Sequence, residues 1–309
     1  RLDLQSSNFR LRVVGRPTPQ EGFLDAEAPT MLILALDTTG DRTYIETLRQ
    51  ELIRFTANLP QGIHVLVLNI NGGLRIVQDH TRDAALLRQA ILNYDITGFP
   101  GFLENAREVA VRSDRMFQRN PIRVATVFIT DSNIQAYKRR YSATDLTNQL
   151  AAIKHDLLAA TAPIFTLRLP VQTADPDVIR TADYRDIPLV GGTQPGVGAG
   201  SEESTSGELK ARMAARDAGN EDRLARTYEG VIREISTSLG GDAQFPLNLT
   251  GVSTALTSIL HRIHGTYILV FPRPDVRAGG EVKIEVETVD AAGRKLDLKL
   301  NYRRTLALP

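Results

Sequence analysis

The apolar positions change rhythm several times along the chain, and each change marks an element. Phe9, Leu11 and Val13 alternate with Arg10 and Arg12, a period of two that predicts a strand with one wet face. Gly15, Pro17 and Pro19 end it. Met31 to Asp37 (MLILALD) is almost continuously apolar, the pattern of a strand covered on both sides in a parallel sheet. Ile45, Leu48, Leu52, Phe55 and Leu59 then recur at helical spacing. Ile63 to Ile70 and Leu74 to Gln78 read as strands around a turn at Asn71-Gly72-Gly73. Helices are predicted over Asp83 to Asn93 and Phe102 to Arg119, and Ile122 to Thr130 is another buried strand. Ser142 is placed to cap a helix with the apolar face Leu146, Leu150, Ile153 and Leu157 and with Asp145 in its first turn. Ile164 to Leu169 is a further sheet strand.

From 170 to 222 the rhythm breaks. Gly191 to Gly207 has almost no core-forming residues and predicts an inserted excursion with a flexible loop. Two helical faces follow, Leu224/Tyr228/Val231/Ile235/Leu239 stopped by Gly240-Gly241, and Val252/Leu256/Ile259/Ile263 stopped by Gly265. Thr266 to Phe271 is expected to be the last strand of this block. In the tail, Val282, Ile284 and Val286, then Leu296, Leu298, Leu300 and Tyr302, alternate with polar residues around a turn at Asp290 to Gly293. That is a hairpin with one face to cover, and the Phe9 strand is the natural third member.

Strands alternating with helices of this length predict an α/β fold with a doubly wound, mostly parallel sheet and a small β appendage. The expected divisions are an N-terminal β segment over 1–28, an α/β domain over 29–271 with the excursion at about 170–222, and a C-terminal β-hairpin over 272–309.

Composition narrows the function classes. The chain has 309 residues, 37 Lys and Arg against 36 Asp and Glu, and a net charge of +1, so no charge excess draws it to nucleic acid or an anionic membrane. No apolar run reaches the roughly 18 residues that span a bilayer. With no cysteine there is no disulfide framework, thiolate metal site or cysteine nucleophile, a composition compatible with an oxidising compartment.

The sharpest local signal is Asp37-Thr38-Thr39-Gly40-Asp41, where the first buried strand ends, matched by Thr130-Asp131-Ser132 at the end of the Ile122 strand. Ligands of doubly wound sheets sit at this carboxyl edge. Together the two segments resemble the metal-ion-dependent adhesion site of von Willebrand factor A domains, Asp-x-Ser-x-Ser after the first strand and Thr-Asp-Gly after the fourth. Asn8-Phe9 through Gly15-Arg16-Pro17, Tyr267 to Pro272 and the helix ending in Gly240-Gly241 are similar to landmarks of the VWFA-related family of Acidobacteria. The landmarks run in order from about residue 8 to 304. The resemblance implies an exported, non-enzymatic module that binds another protein, and assigns Asp37, Thr39 and Asp131 as metal ligands.

The departures bear on that site. Asp41 stands in place of the second serine, and the family's distant threonine falls near Pro100-Gly101-Phe102, with no hydroxyl; Thr97 is close but out of register. A hard cation such as Mg²⁺ wants about six oxygens. Asp37, Thr39, Asp41 and Asp131 therefore form either a degenerate, weak or empty metal site or simple caps at the sheet edge. Lys138, Arg139 and Arg140 follow on the same edge, either as a solvated loop or as cations that replace the metal and receive an acidic partner.

Enzyme-like patterns are weak. Gly251-Val252-Ser253-Thr254-Ala255 lacks a histidine brought from elsewhere in the chain, and His261 and His264 lack metalloprotease spacing and its glutamate. Gly196, Gly198 and Gly200 run into no Lys-Ser/Thr, and Asn248-Leu249-Thr250 is a formal glycosylation sequon. The expectation is an extracytoplasmic protein-binding module, secreted, periplasmic or at the cell surface. The alternative is a structural subunit, with the chain as an oligomer or part of a larger envelope assembly.

Overall fold

The computed structural model describes residues 4–38, 42–97, 101–119, 122–130, 142, 144–145, 148–149, 151–152, 162–170, 223, 226–272, 274–275, 281–298 and 305–307. The buried apolar runs form the middle of a six-stranded sheet. Its strands are β4 (Thr30–Asp37), β5 (Ile63–Asn69), β6 (Arg75–Thr81), β7 (Arg123–Thr130), β8 (Ile164–Arg168) and β9 (Ala243–Gln244), in the order β6-β5-β4-β7-β8-β9. Counted within the sheet this is 3-2-1-4-5-6, the doubly wound order, with the edge strand β6 antiparallel to the rest. β4 lies between β5 and β7, all three parallel, and Asp37 is opposite Thr130. Chain direction reverses its spread at β4 and β7, so the switch point is where Asp37 ends its strand.

Helices cover both faces. On one side α1 (Arg42–Ala57), α2 (Ala84–Asn93) and α5 (Val252–His264) bury Leu48, Leu52, Leu87, Ile91, Leu256 and Ile259 against Leu32, Leu34, Val67 and Val127. On the other, α3 (Phe102–Arg119) and α4 (226–238) bury Phe102, Val109, Ile232 and Ile235 against Ile33, Ala35, Leu68 and Phe128. Each fully buried Leu or Ile in these layers contributes about 1.5–3 kcal/mol. Hydroxyl pairs tie the second layer to the sheet: Ser113 on α3 to Thr126 at 3.0 Å, and Thr166 to Ser236 on α4 at 2.7 Å. At the amino edge of the sheet the buried Arg123 guanidinium donates to the carbonyls of Ala26 and Asp25 and to the Thr30 hydroxyl, fixing the chain that enters β4.

Side chains of Asp83 and Ser142 answer free amides at helix starts, and Ser142 does so where the sequence places it. Asp83 accepts from the amides of Ala85 and Leu86 at the start of α2. Ser142 and Asp145 form a reciprocal pair, Ser142 N–H and O–H donating to Asp145 at 2.9 and 2.7 Å while Asp145 N–H donates back at 3.1 Å. The Ser142 hydroxyl and amide hold the Asp145 carboxyl below its ordinary value. Leu146, Leu150, Ile153 and Leu157, and the excursion beyond 170, lie outside the described residues.

Two expected strands take partners outside the central sheet, and one expected arm is not strand over its described part. Thr266 to Phe271 does not extend the central sheet. Its paired part, β10 (Ile268–Val270), forms a two-stranded antiparallel ribbon with β3 (Gly22–Leu24), and the sixth place in the sheet goes to the two-residue β9. A side chain at Gly22 would press on Val270, its Cβ only 3.2 Å from the valine Cβ, so glycine lets the ribbon close. In the tail, β11 (Glu281–Thr288) pairs with β1 (Phe9–Val13), but the returning arm joins it through one bridge, Val289 to Lys295, and then at β12 (Thr305–Ala307). Leu296 to Leu298 is not strand, and 299–304 lies outside the described residues.

With β2 (Arg16–Thr18) the appendage sheet has the order β12-β11-β1-β2. Leu11, Val13, Val282 and Ile284 form its own small core, and on the other face Arg10 opposes Glu287 and Arg12 opposes Glu285. Phe9, Phe23 and Tyr267 join the appendage to the ribbon, with ring centroids 5.4–5.9 Å apart.

Candidate functional site

The carboxyl edge is built from the last residues of three adjacent strands. Asp37 of β4, Thr130 of β7 and Arg168 of β8 are in register and lie on the face covered by α3 and α4. Asp37 is fully buried. Its Oδ1 accepts from Gly101 N at 2.7 Å, and its Oδ2 from Phe102 N at 3.0 Å and the Thr130 hydroxyl at 3.2 Å. These are the free amides that open α3, so the carboxylate caps that helix and meets the positive end of its dipole. The cap fits because residue 101 is glycine: a Cβ there would meet Ile70 O at 2.2 Å and Asn105 Nδ2 at 2.6 Å.

The network continues sideways. The Thr130 hydroxyl lies 3.0 Å from the Tyr228 phenol of α4. Thr38 and Tyr94 share a hydrogen bond at 2.8 Å, and Asn71 Nδ2 donates to Thr38 O at 2.6 Å and to Asp95 O at 3.2 Å. Tyr44, near the start of α1, donates to Pro170 O at 2.8 Å. At the far end of the row the Arg168 guanidinium is ion-paired with Glu229. Burial lowers the Arg168 pKa, while the Tyr228 and Tyr44 phenols raise it.

Of the site residues read from the sequence, Asp37 is placed at this edge. Thr39, Asp41, Asp131, Lys138, Arg139 and Arg140 lie outside the described residues. Thr97 is taken up locally, its amide and hydroxyl both bonded to Asp95, which holds that carboxyl below its ordinary value. Two residues were missed. Arg168 interrupts an otherwise apolar run, which is a usable signal, but Glu229 is remote in sequence and nothing in the pattern pairs them.

Comparison with protein-family models and with curated proteins gives no match. Solved structures do match, and they include von Willebrand factor A domains. A von Willebrand factor type A protein from Catenulispora acidiphila is 10% identical over 100% of this chain and 76% of that chain, with a TM-score of 0.47. The conserved hypothetical protein BatB from Bacteroides thetaiotaomicron is 13% identical over 77% of this chain and 100% of that one, with a TM-score of 0.42. Three N-terminal domains of the type V pili tip protein Mfa5 from Porphyromonas gingivalis match over 35% of this chain at 13% identity, with a TM-score of 0.28. The chain spans only 20% of the length of that pilus structure.

Of the four ligands that a hard divalent cation would draw on, the described part of the edge holds one, Asp37. Such an ion collects about six oxygens. Asp37 already directs both of its oxygens at amide and hydroxyl hydrogens. Where the resemblance expects a threonine hydroxyl, Gly101 contributes a backbone N–H and has no room for a side chain. What this geometry does chemically is hold a rigid row of polar groups, anionic at one end and cationic at the other.

Proposed function

We propose that the chain is a von Willebrand factor A-like module that binds another protein at the carboxyl edge of its sheet, without catalysis and without tightly held metal. The doubly wound order and the motif at Asp37 support the architecture; the narrower likeness to the acidobacterial family rests on the sequence landmarks alone. The carrying observation is the state of Asp37, whose carboxylate is committed to capping α3. The edge is thereby preorganised, which lowers the ordering cost of docking a partner. An extracytoplasmic setting is part of this proposal. So is a partner-binding role for Lys138, Arg139 and Arg140, with Mg²⁺ weak or absent at Asp37, Thr39, Asp41 and Asp131. No described helix is long and apolar enough to cross a membrane.

A photo-crosslinker placed at Asp95, on the carboxyl edge, and at Asn58, on the opposite edge, tests this in extracts of the native source. Capture of a discrete protein from Asp95 and not from Asn58, unchanged by EDTA, is the expected result. Equal capture from both positions removes the edge assignment, and loss of capture in EDTA restores a metal. A stable oligomer of the purified chain would favour the second reading, a structural subunit of a larger assembly.

A further inference from the structure

Two arginines are buried at opposite edges of the sheet, and they are neutralised differently. Arg123 spends its guanidinium on backbone carbonyls and a threonine hydroxyl, partners that are part of the fold. Among the described residues Arg168 pairs with a single side chain, its Nη1 donating to Glu229 Oε1. The Arg168 side chain is 9% exposed and that of Glu229 is 36% exposed. The cation is fixed inside the protein, and its counter-ion reaches in from the solvent.

A guanidinium presents its N–H groups as a fork, and a carboxylate fills that fork best with two parallel bonds. Glu229 makes one. The site is thus partly filled by a group that can return to water at little cost, while Arg168 cannot. Its surroundings are held: Thr130 faces it in register from β7, Tyr228 precedes Glu229 on α4 and bonds Thr130, and Tyr44 is tied to Pro170. The ladder pairs Leu167 with Gln244, so the chain leaving β9 passes beside the end of β8. A sunken cation at the end of a rigid row is the kind of central, desolvated charge around which protein-docking surfaces are built.

We propose that Arg168 receives an Asp or Glu side chain of an acidic partner protein, and that Glu229 occupies Arg168 as an internal stand-in for that carboxylate until the partner arrives. This rests on the carboxyl edge being the binding surface. The partner's carboxylate displaces Glu229 Oε1 from Nη1 and fills the Nη1/Nη2 fork with two parallel bonds. No bond is made or broken beyond the exchange of one ion pair for another. Self-occupancy by Glu229 lowers apparent affinity by the fraction of time the fork is filled.

The test uses the full chain labelled with ¹⁵N and a minimal probe, the capped tripeptide Ala-Glu-Ala, against capped Ala-Gln-Ala at fixed ionic strength. The Arg168 Nε–Hε resonance is expected to shift saturably with the first peptide and not with the second. Glu229→Gln is expected to tighten the Glu peptide roughly tenfold by removing the competitor. Arg168→Lys, which cannot present a fork, is expected to abolish the response. Equal shifts with both peptides, or unchanged affinity in Glu229→Gln, overturn the inference; the wild-type titration alone decides should either variant fail to fold. Movement of the Thr130 and Tyr44 amides with a silent Arg168 also overturns it while leaving the edge as a binding surface. Silence across the whole edge, combined with equal cross-linking from Asp95 and Asn58, removes both.

Discussion

Asp37 and Arg168 end two strands of the same row, are both buried, and carry opposite charges, yet the protein treats them in opposite ways. Asp37 is answered by backbone: two amides of α3 and a threonine hydroxyl reach it from elements that cannot move away without unfolding. Arg168 is answered by one glutamate that is more than a third exposed. The first arrangement converts a residue of a metal-site motif into part of the frame. The second leaves a charge whose partner is exchangeable. Burial alone therefore does not tell a structural ion from an available one; what matters is whether its counter-charge belongs to the backbone or to a side chain with access to water.

The largest expected effect separates the two directly. Asp37→Ala leaves the Gly101 and Phe102 amides buried without an acceptor and should cost about 3–5 kcal/mol in a urea melt. A loss below about 1 kcal/mol would mean that Asp37 is not part of the frame, and a ligand role would return. Gly101→Ala attacks the same cap from the other side, since its methyl would have to displace Ile70 O. A loss of about 1–3 kcal/mol is expected by the same melt. Arg168→Met should matter least to folding, about 1 kcal/mol or less in either direction, because Glu229 regains water once its partner is gone. Equal losses at Asp37 and Arg168 would erase the contrast. Smallest of all, about 5 mM MgCl₂ should move the melting temperature by no more than roughly 1 °C, as expected of a native state without a tight site. A rise of several degrees, abolished by Asp131→Ala, would restore the metal reading.

The central sheet was legible because its strands are long runs of Ile, Leu and Val that only burial on both faces explains, and because Asp37 and Thr130 end two of them in register. β9 was not, since two residues carry no period. The partner of β10 was not legible for a related reason. Ile268 to Val270 is as apolar as a sheet strand, but its place depends on a partner far away in sequence, around Phe23, and on a glycine at 22 that admits Val270. At the site, the motif pointed to the right edge but not to the roles. That Asp37 caps α3 depends on Gly101 packing against Ile70 O, a contact that no local spacing encodes. Arg168 was visible as a charge in an apolar run, and its exchangeable partner was not.

The appendage also determines how the protein answers force. β1 runs from Phe9, opposite Thr288, towards Val13, opposite Ile284, and β12 ends at Ala307 opposite Glu281, beyond that far end of the ladder. A tension applied ahead of Phe9 and behind Ala307 thus acts at opposite ends of the β12-β11-β1 ladder and slides the strands along one another. Sliding strains all the cross-strand hydrogen bonds together, whereas peeling would open them one after another. The same load bypasses the central sheet, because β11 stands between the two pulling points and the domain core is strung between β1 and β11. Tethered at both ends, the molecule would carry tension through its four-stranded appendage sheet and spare the carboxyl edge.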